Sequence, residues 1–294
     1  MATKPEMLHK GKVRDTYPGQ EPNELVVVAS DRISVFDVVL PQPVPGKGIV
    51  LTHMTKHWLT QTPVGEVMPH HLISPDGWHT PGWLDPEDVP RTMVVRRLDM
   101  LPVEAIVRGY LTGSGWKDYQ KTGRVSGIEL PPGMQEMQKF PEPLFTPSTK
   151  AEVGHDENID FDYVVRTVGS LELAEQVRDR ALELYVAGAA YALEQGIILV
   201  DTKFEFGLDP DTGELTLGDE VLTPDSSRYV AAETHEVGRP PLSMDKQVVR
   251  DYYEGLGWDK TPPAPDMPDE LIDRTRSTYG NIAERLTGTD PLVW

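Results

Sequence analysis

The chain has 294 residues, enough for two domains with a sizeable buried core, and its 38% apolar and 26% charged residues exclude disordered, coiled-coil and collagen-like classes. Its 28 basic against 47 acidic side chains give a net charge of −19, so general nucleic-acid binding is excluded and any phosphate-bearing ligand must meet a local concentration of Lys, Arg and backbone N–H groups. The absence of cysteine removes disulfides, thiolate zinc sites and cysteine nucleophiles together.

Residues 1–17 are charged and carry no apolar signal-peptide region, and no run is long and apolar enough to span a membrane; a soluble, cytoplasmic protein is expected. Lys10-Gly11-Lys12-Val13-Arg14 places three cations around one glycine just before Leu25–Ala29, a short apolar run of buried-strand type. Such a loop can fold over nucleotide phosphates, glycine permitting close backbone approach, although neither the P-loop nor the Rossmann pattern is present. A basic turn without a ligand is the plain alternative. Ser30-Asp31-Arg32-Ile33-Ser34 with Phe36-Asp37 follows that strand, where loops commonly hold ligand-binding groups, or where an Asx or Ser turn holds an internal ion pair. A helix is predicted over Leu51–Leu59, with Met54 and Trp58 on one face. His53 and His57 have the spacing of two zinc ligands on it, but no H-E-x-x-H accompanies them. The Pro/Gly/Trp-rich Ser74–Pro90 is expected to be an irregular excursion connecting lobes, and Thr92–Leu98 to be a strand.

A soft domain boundary is placed near residue 103, dividing 1–103 from 104–294. Val103–Val107 reads as a strand leading into Arg108-Gly109 and a glycine cluster with Ser114, which can hold a phosphate or form an ordinary strand-to-helix corner. Gly127–Pro147 is expected to be loop, and Thr149-Lys150 with His155-Asp156 a polar loop able to supply a cation and acid–base groups. Apolar positions recur at three- and four-residue steps from Leu171 to Tyr191, predicting a helix over Ser170–Gln195 that Gly196 ends. The strand Ile197–Val200 runs into Asp201-Thr202-Lys203-Phe204-Glu205-Phe206-Gly207. Strand alternation puts Asp201, Lys203 and Glu205 on one face. Asp209-Pro210-Asp211-Thr212-Gly213 is a hairpin turn that returns Asp219 towards the start of that strand. Hard oxygen ligands gathered there suit Mg²⁺, which takes one or two carboxylates and fills its other positions with phosphate and water; a solvated acidic hairpin is the alternative. Pro224-Asp225-Ser226-Ser227-Arg228 then offers hydroxyls, N–H groups and a guanidinium fork suited to a phosphate, or a plain turn with a surface arginine. Prolines at 261–268 precede an amphipathic helix over Glu270–Leu286.

Taken in order, Gly11–Asp15, Ser30–Ser34, Phe36-Asp37, Pro45–Ile49, Val103–Gly109, Gly113-Ser114, Leu199–Gly207, Gly218–Glu220 and Pro224–Arg228 closely resemble the SAICAR synthetase family of purine biosynthesis. The resemblance implies an α+β fold of two lobes, the first like the small lobe of protein kinases and β-rich, the second like an ATP-grasp subdomain with C-terminal helices, and a nucleotide site in the cleft between them. It also implies an ATP-dependent carbon–nitrogen ligase joining the carboxylate of CAIR to the amine of L-aspartate through an acyl phosphate, with Mg²⁺ and ATP as cofactors and no obligate protein partner. Residue by residue it implies Glu205 and Asp219 as magnesium ligands and Lys10, Gly11, Lys12, Val13 and Arg14 at the nucleotide. Arg108, Ser114 and Arg228 fall at the 5′-phosphate of the ribonucleotide; Asp37, Lys47 and the Ser30–Ser34 loop with Ser34 fall in the substrate or aspartate pocket, and Asp225 is a further substrate-binding residue. Lys203, Asp201 and Lys150 fall near the reacting groups, with Asp156 on the same loop as Lys150. A phosphotransferase on the same scaffold and a regulatory nucleotide-binding module are the competing readings. The second phosphate site argues against the first of these, and the carboxylate pair against the second.

Overall fold

The computed structural model describes residues 3–74, 80–150 and 157–293. Two mainly antiparallel sheets organise the chain. Strands β1 (His9–Lys10), β2 (Arg14–Pro18), β3 (Glu24–Ala29), β6 (Leu72–Ser74) and β7 (Thr92–Arg96) form the first, in the order β1-β2-β3-β7-β6, while β4 (Ser34–Val35) and β5 (Val38–Val39) pair as a small separate hairpin. The apolar run at Leu25 supplies the central strand. On it Val26 and Val28 are buried with Tyr17 and Val94 on one side, while Leu25 and Val27 turn to the other side and pack against the main core.

Around the twelve-residue β14 (Ile197–Leu208) a second sheet is assembled. β9 (Val103–Tyr110), β15 (Leu215–Gly218), β16 (Ser227–Ala231) and the short β8 (Asp99–Met100) all pair with β14, while β12 (Lys139–Phe145) and β13 (Ser148–Thr149) pair with β9. A further two-residue hairpin joins β10 (Arg124–Val125) to β11 (Ile128–Glu129). The helices are α1 (Lys47–Gln61), α2 (Gly113–Thr122), α3 (Phe161–Val168), α4 (Leu171–Glu194), α5 (Gln247–Gly255) and α6 (Asp269–Thr287). Ser170 caps α4 by accepting from the Leu173 amide, and Gly196 follows its end at φ 71°, the left-handed conformation expected there. The largest apolar cluster runs from α1 through β9, α4 and β14 to α6, so the core crosses residue 103 without a break.

Several sequence expectations are corrected. The segment after Ser74 joins β6 to β7, neighbours in one sheet, and is no connection between lobes; Pro86–Arg91 within it is a 3₁₀ helix. Within the stretch expected as loop, Lys139–Phe145 is a strand despite Pro141 and Pro143. It lies at the sheet edge with a register shift between Lys139 and Leu144, where missing N–H donors interrupt no interior ladder. Leu171, expected on the buried face of α4, is exposed in its first turn. The helix containing Trp58 begins four residues early, at Lys47, because Asp31 accepts from the amides of Gly46 and Gly48 at 3.1 and 3.0 Å and caps it.

The turn after β15 is anchored to the core at Leu222. Its φ of 52° lies in the left-handed region, and its carbonyl accepts from the Trp58 indole at 2.9 Å and the Tyr229 hydroxyl at 2.6 Å. Trp58→Phe removes one donor and leaves a gap in the core. We expect a loss of about 1–3 kcal/mol in urea unfolding, and an unchanged midpoint would show that Tyr229 alone holds the turn.

Candidate active site

A cavity of about 790 Å³ opens where the loop between β1 and β2, the inner face of the first sheet and the central strands of the second sheet converge. One wall is apolar, built from Val13, Leu25, Val27, Met93, Val95, Leu98 and Met100. The register explains the pairing of these side chains: Leu25 lies opposite Val95 and Val27 opposite Met93. Across from that wall the lining is charged.

Strand alternation along β14 places Lys203 and Glu205 on the cavity side. Lys203 Nζ lies 2.7 Å from Glu104 Oε1 and 2.8 Å from Glu205 Oε1, and Lys150 Nζ closes on the other Glu205 oxygen. The two ammonium groups hold the Glu205 carboxyl well below the usual carboxylate range against the opposing effect of burial, and the carboxylates of Glu205 and Glu104 raise Lys203 in turn. β15 ends with Gly218 opposite Glu205, so Asp219 emerges beside the middle of β14, where the sequence reading had it nearer the start. Asp219 has φ 56°, and Arg14 donates to its Oδ2 at 2.7 Å while lying 3.2 Å from Glu220 Oε1. Even with that guanidinium, burial and the neighbouring carboxylates Glu205 and Glu220 push Asp219 up to about 6. Burial drives His71, also in the lining, down to about 3, so it is neutral.

The basic N-terminal loop lies over the cavity and is held from behind. Arg32 donates to the carbonyls of Gly11 and Lys12 at 3.1 and 3.0 Å and pairs with Asp15 at 2.7 Å. Lys12 reaches Asp37 at 2.7 Å, and Asp37 follows Phe36 in a tight β4–β5 turn with both residues at positive φ. Of Ser30–Ser34, only Ser34 lines the cavity; Asp31 caps α1 and Arg32 braces the loop, so those two serve the frame.

Lys47 and Asp201 have places other than those expected. The Lys47 side chain is fully buried, and its ammonium lies 2.7 Å from Asp225 Oδ2; it is shielded from a ligand and fixes Asp225, which does line the cavity. Tyr279 donates to the other Asp225 oxygen at 2.5 Å, and with Lys47 and Lys246 it holds that carboxyl far below its ordinary value despite burial. Asp201 sits earlier on β14, outside the cavity lining, where its Oδ2 accepts from Arg108 Nη1 at 3.1 Å and Arg228 Nη1 at 3.0 Å. Arg108 also donates to Ser114 at 3.0 Å and Thr146 at 3.0 Å. Arg108, Ser114 and Arg228 are thus brought together, and Asp201 is the carboxylate that holds the guanidinium groups side by side against their mutual repulsion. Gly113 has φ 60°, the left-handed region that favours glycine, and a Cβ there would lie 2.7 Å from Arg228 Nη1 and push that guanidinium aside.

His53 and His57 diverge, to Thr287 and Tyr191 respectively, and form no metal pair. His155 and Asp156 lie outside the described residues. Reading the sequence missed Glu104, His71, Glu220, Lys246 and Arg250, all in the lining. A charge inside the apolar Val103–Val107 strand was the available signal for Glu104, and two cations one helical turn apart for Lys246 and Arg250.

Ionising Asp219 costs stability because its folded value, near 6, lies above its ordinary value near 4. The cost is absent below pH 4 and complete above pH 6. Asp219→Asn should therefore exceed the wild type in unfolding free energy at pH 7 by on the order of 2–3 kcal/mol, with the gain fading as pH falls to 4. Equal stability at pH 7 would mean that Arg14 compensates the charge in full.

Residues 7–265 match the family model described as SAICAR synthetase. A phosphoribosylaminoimidazole-succinocarboxamide synthase of Stenotrophomonas maltophilia is 54% identical over 292 residues, covering 95% of this chain and 94% of that protein. One from Xanthomonas oryzae pv. oryzae is 52% identical over 298 residues, covering 95% and 94%. Among solved structures, the SAICAR synthase from Saccharomyces cerevisiae complexed with SAICAR superposes with a TM-score of 0.85 at 39% identity, over 99% of this chain and 98% of that one. A SAICAR synthetase of type 2 in complex with ADP gives a TM-score of 0.69 at 26% identity, over 97% and 99%.

Proposed function

The chain belongs to the SAICAR synthetase family, and from that premise we propose how its cavity serves an ATP-dependent ligase of purine biosynthesis. The reaction joins the carboxylate of CAIR to the amine of L-aspartate and releases ADP and phosphate. A carboxylate is a poor electrophile because an attacking amine would have to expel oxide. Transfer of the ATP γ-phosphoryl group to the CAIR carboxylate gives an acyl phosphate, from which the amine displaces phosphate.

The observation that carries this reading is the single polar face of β9 and β14. At one end stand Glu205, Lys203 and Glu104 with Asp219 beside them, and at the other the Arg108–Asp201–Arg228 cluster. Two sites for anionic groups on one face are what joining a nucleotide triphosphate to a phosphorylated co-substrate requires. The apolar wall takes the adenine, and the Lys10–Arg14 loop covers the phosphates with its amides and Lys12. Arg108, Ser114 and Arg228 take the 5′-phosphate of CAIR, Asp201 acting as their positioning residue. Lys150 and Lys203 face the region between the two ends and neutralise charge on the transferring phosphoryl group. Ser34, Asp37 and Asp225 border the same space, with Lys47 fixing Asp225.

The donor set fits a divalent cation. Glu205 and Asp219 are hard oxygen ligands, and the carboxylate excess that raises Asp219 is relieved by added positive charge. Glu205 and Asp219 would hold magnesium, which would supply positive charge against the charge developing on the transferring phosphoryl group. With a cation bound, Arg14 still has Glu220 as a partner, so the loop remains tethered.

In this reading the two sheets mark two lobes that share one continuous core, 1–103 resembling a kinase small lobe and 104–294 an ATP-grasp subdomain, with the nucleotide between them. Among the described residues no helix is long and apolar enough to cross a membrane. A cytoplasmic enzyme acting on small molecules, without nucleic acid or an obligate protein partner, completes the proposal.

The purified protein with Mg-ATP, CAIR and L-aspartate should release ADP only when both other substrates are present and should form the succinyl product. ADP release indifferent to either one would reject the ligase. Arg228→Ala should raise KM for CAIR by roughly 10- to 100-fold, as expected for a lost charge-assisted contact, with KM for ATP unchanged; a fall confined to ATP affinity would assign Arg228 to the other phosphate.

A further inference from the structure

The Pro-rich chain between α5 and α6, residues 256–268, lies outside the cavity, yet it holds one of the cavity's walls from behind. That wall is the β4–β5 hairpin, which contributes Ser34 and Asp37 to the lining. Ile33, Val35 and Val38 form an apolar cluster with Tyr253, Ala264 and Met267, separate from the largest one. The hairpin therefore takes its packing from the C-terminal part of the chain.

Contact is made at both ends of the hairpin. At its base the Gln42 side chain donates to Asp266 Oδ1 at 2.7 Å and accepts from the Met267 amide at 2.8 Å. At its tip Lys260 Nζ stands 3.9 Å from the centroid of the Phe36 ring, and the Trp258 ring lies 6.5 Å from that same ring. Trp258 and Lys260 are themselves fixed in a tight turn. The Trp258 indole donates to the Thr261 carbonyl at 2.9 Å and packs 5.3 Å from the Tyr253 ring, while Asp259 accepts from the Thr261 amide at 3.0 Å. The pair that Lys260 makes with Glu254, at 3.4 Å between two well-exposed side chains, adds little, so the Phe36 ring is the main partner of the ammonium. Phe36, Asp37 and Lys260 all lie in the left-handed region, with φ of 50°, 64° and 65°. Residues other than glycine stay there only where their surroundings hold them, and two in succession make the hairpin tip the part of the wall most ready to relax.

Resting on the ligase reading above for its effect on turnover, we propose that Lys260 and Trp258 are positioning residues: pressed on Phe36 from outside, they hold the left-handed turn that keeps Asp37 facing the cavity, where it pairs with Lys12 of the covering loop at 2.7 Å. Without the cation and the indole, the Phe36–Asp37 backbone relaxes and carries the Asp37 carboxylate out of register with the lining, while the pairing of β9 with β14 is untouched. Binding then draws on a smaller competent fraction. The apparent KM of any substrate that meets Asp37 rises by that fraction, and the rate at saturation is preserved.

Two measurements on the full chain test this. In the free protein, hydrogen exchange of the Ser34–Val39 amides should be roughly 2- to 30-fold faster in Lys260→Met than in the wild type, the range spanned by a cation–π contact, and close to the wild type in Lys260→Arg, with β9 and β14 unchanged in both. In steady-state assays with Mg-ATP, CAIR and L-aspartate varied in turn, Lys260→Met should raise the KM of the same substrate as Asp37→Glu, which displaces the carboxylate directly. The other KM values and kcat should stay within about twofold of the wild type in Lys260→Met, and Lys260→Arg should restore the wild-type KM. Trp258→Leu, which removes the second ring beside Phe36, should repeat the Lys260→Met pattern. Unchanged exchange at Ser34–Val39, or a KM pattern unlike that of Asp37→Glu, would overturn the assignment. ADP release by the wild type that ignored CAIR or L-aspartate would remove the ligase reading and leave the exchange measurement to decide the hold on the turn, so the two failures are distinct.

Discussion

Glu205 is a buried carboxylate gripped by two ammonium groups, and the architecture of the cavity follows from the need to keep such a group charged. Removing a carboxylate from water costs several kcal/mol unless opposite charge replaces the lost hydration. Here Lys203 comes from the same strand and Lys150 from the end of β13, so the ion cluster exists only when β9, β13 and β14 are correctly paired. Glu104 extends the cluster by holding Lys203 from the neighbouring strand, and Ser148 donates to Glu104 at 2.9 Å. Sheet register and site geometry are therefore one constraint: a slip of one residue would turn Lys203 and Glu205 to the opposite face of the sheet, into the layer that holds Phe204 and Phe206.

Asp219 is the counterpart to this satisfied group. Burial and two acidic neighbours outweigh Arg14, and the residue adopts a left-handed backbone conformation. Such a position persists only where its surroundings over-determine it. Leu222, three residues on, is likewise at positive φ and is clamped by Trp58 and Tyr229 from the core. Strain in the loop is thus balanced by packing in α1 and β16, which links the largest apolar cluster to the chemistry. The contrast between a carboxylate stabilised as an anion and one poised near neutrality is the kind of division that lets neighbouring groups play different parts at one pH.

Much of this was legible in the residues because it depends on local rules. Alternation along Asp201–Gly207 and the Asp209–Gly213 turn were enough to place Lys203, Glu205 and Asp219 near each other, and three-to-four periodicity with a terminal glycine was enough for α4. What could not be read locally was the use of a charge. Asp201, Lys203 and Glu205 are equivalent by alternation, yet Asp201 faces two arginines, one of them delivered by β16 from 27 residues away. Lys47 belongs to a motif that resembles a substrate loop, yet Asp225, far along the chain, claims its ammonium in the interior. The strand at Lys139–Phe145 was hidden for a related reason. Proline counts against a strand in general but not at an edge, and edge position is a property of the assembled sheet.

The same distinction separates groups that touch substrate from groups that aim them. Asp31 and Arg32 sit in the middle of a recognisable motif, and their hydrogen bonds go to the α1 amides and to the loop over the cavity. Losing Arg32 would free the carbonyls of Gly11 and Lys12, so the covering loop could sample conformations in which its amides no longer face the cavity. An effect of that sort acts on the fraction of molecules with a competent loop, and lowers the apparent affinity for any ligand the loop covers by that fraction without altering a direct contact. Motif residues of this chain are therefore of two physical kinds, and only the destination of each hydrogen bond tells them apart.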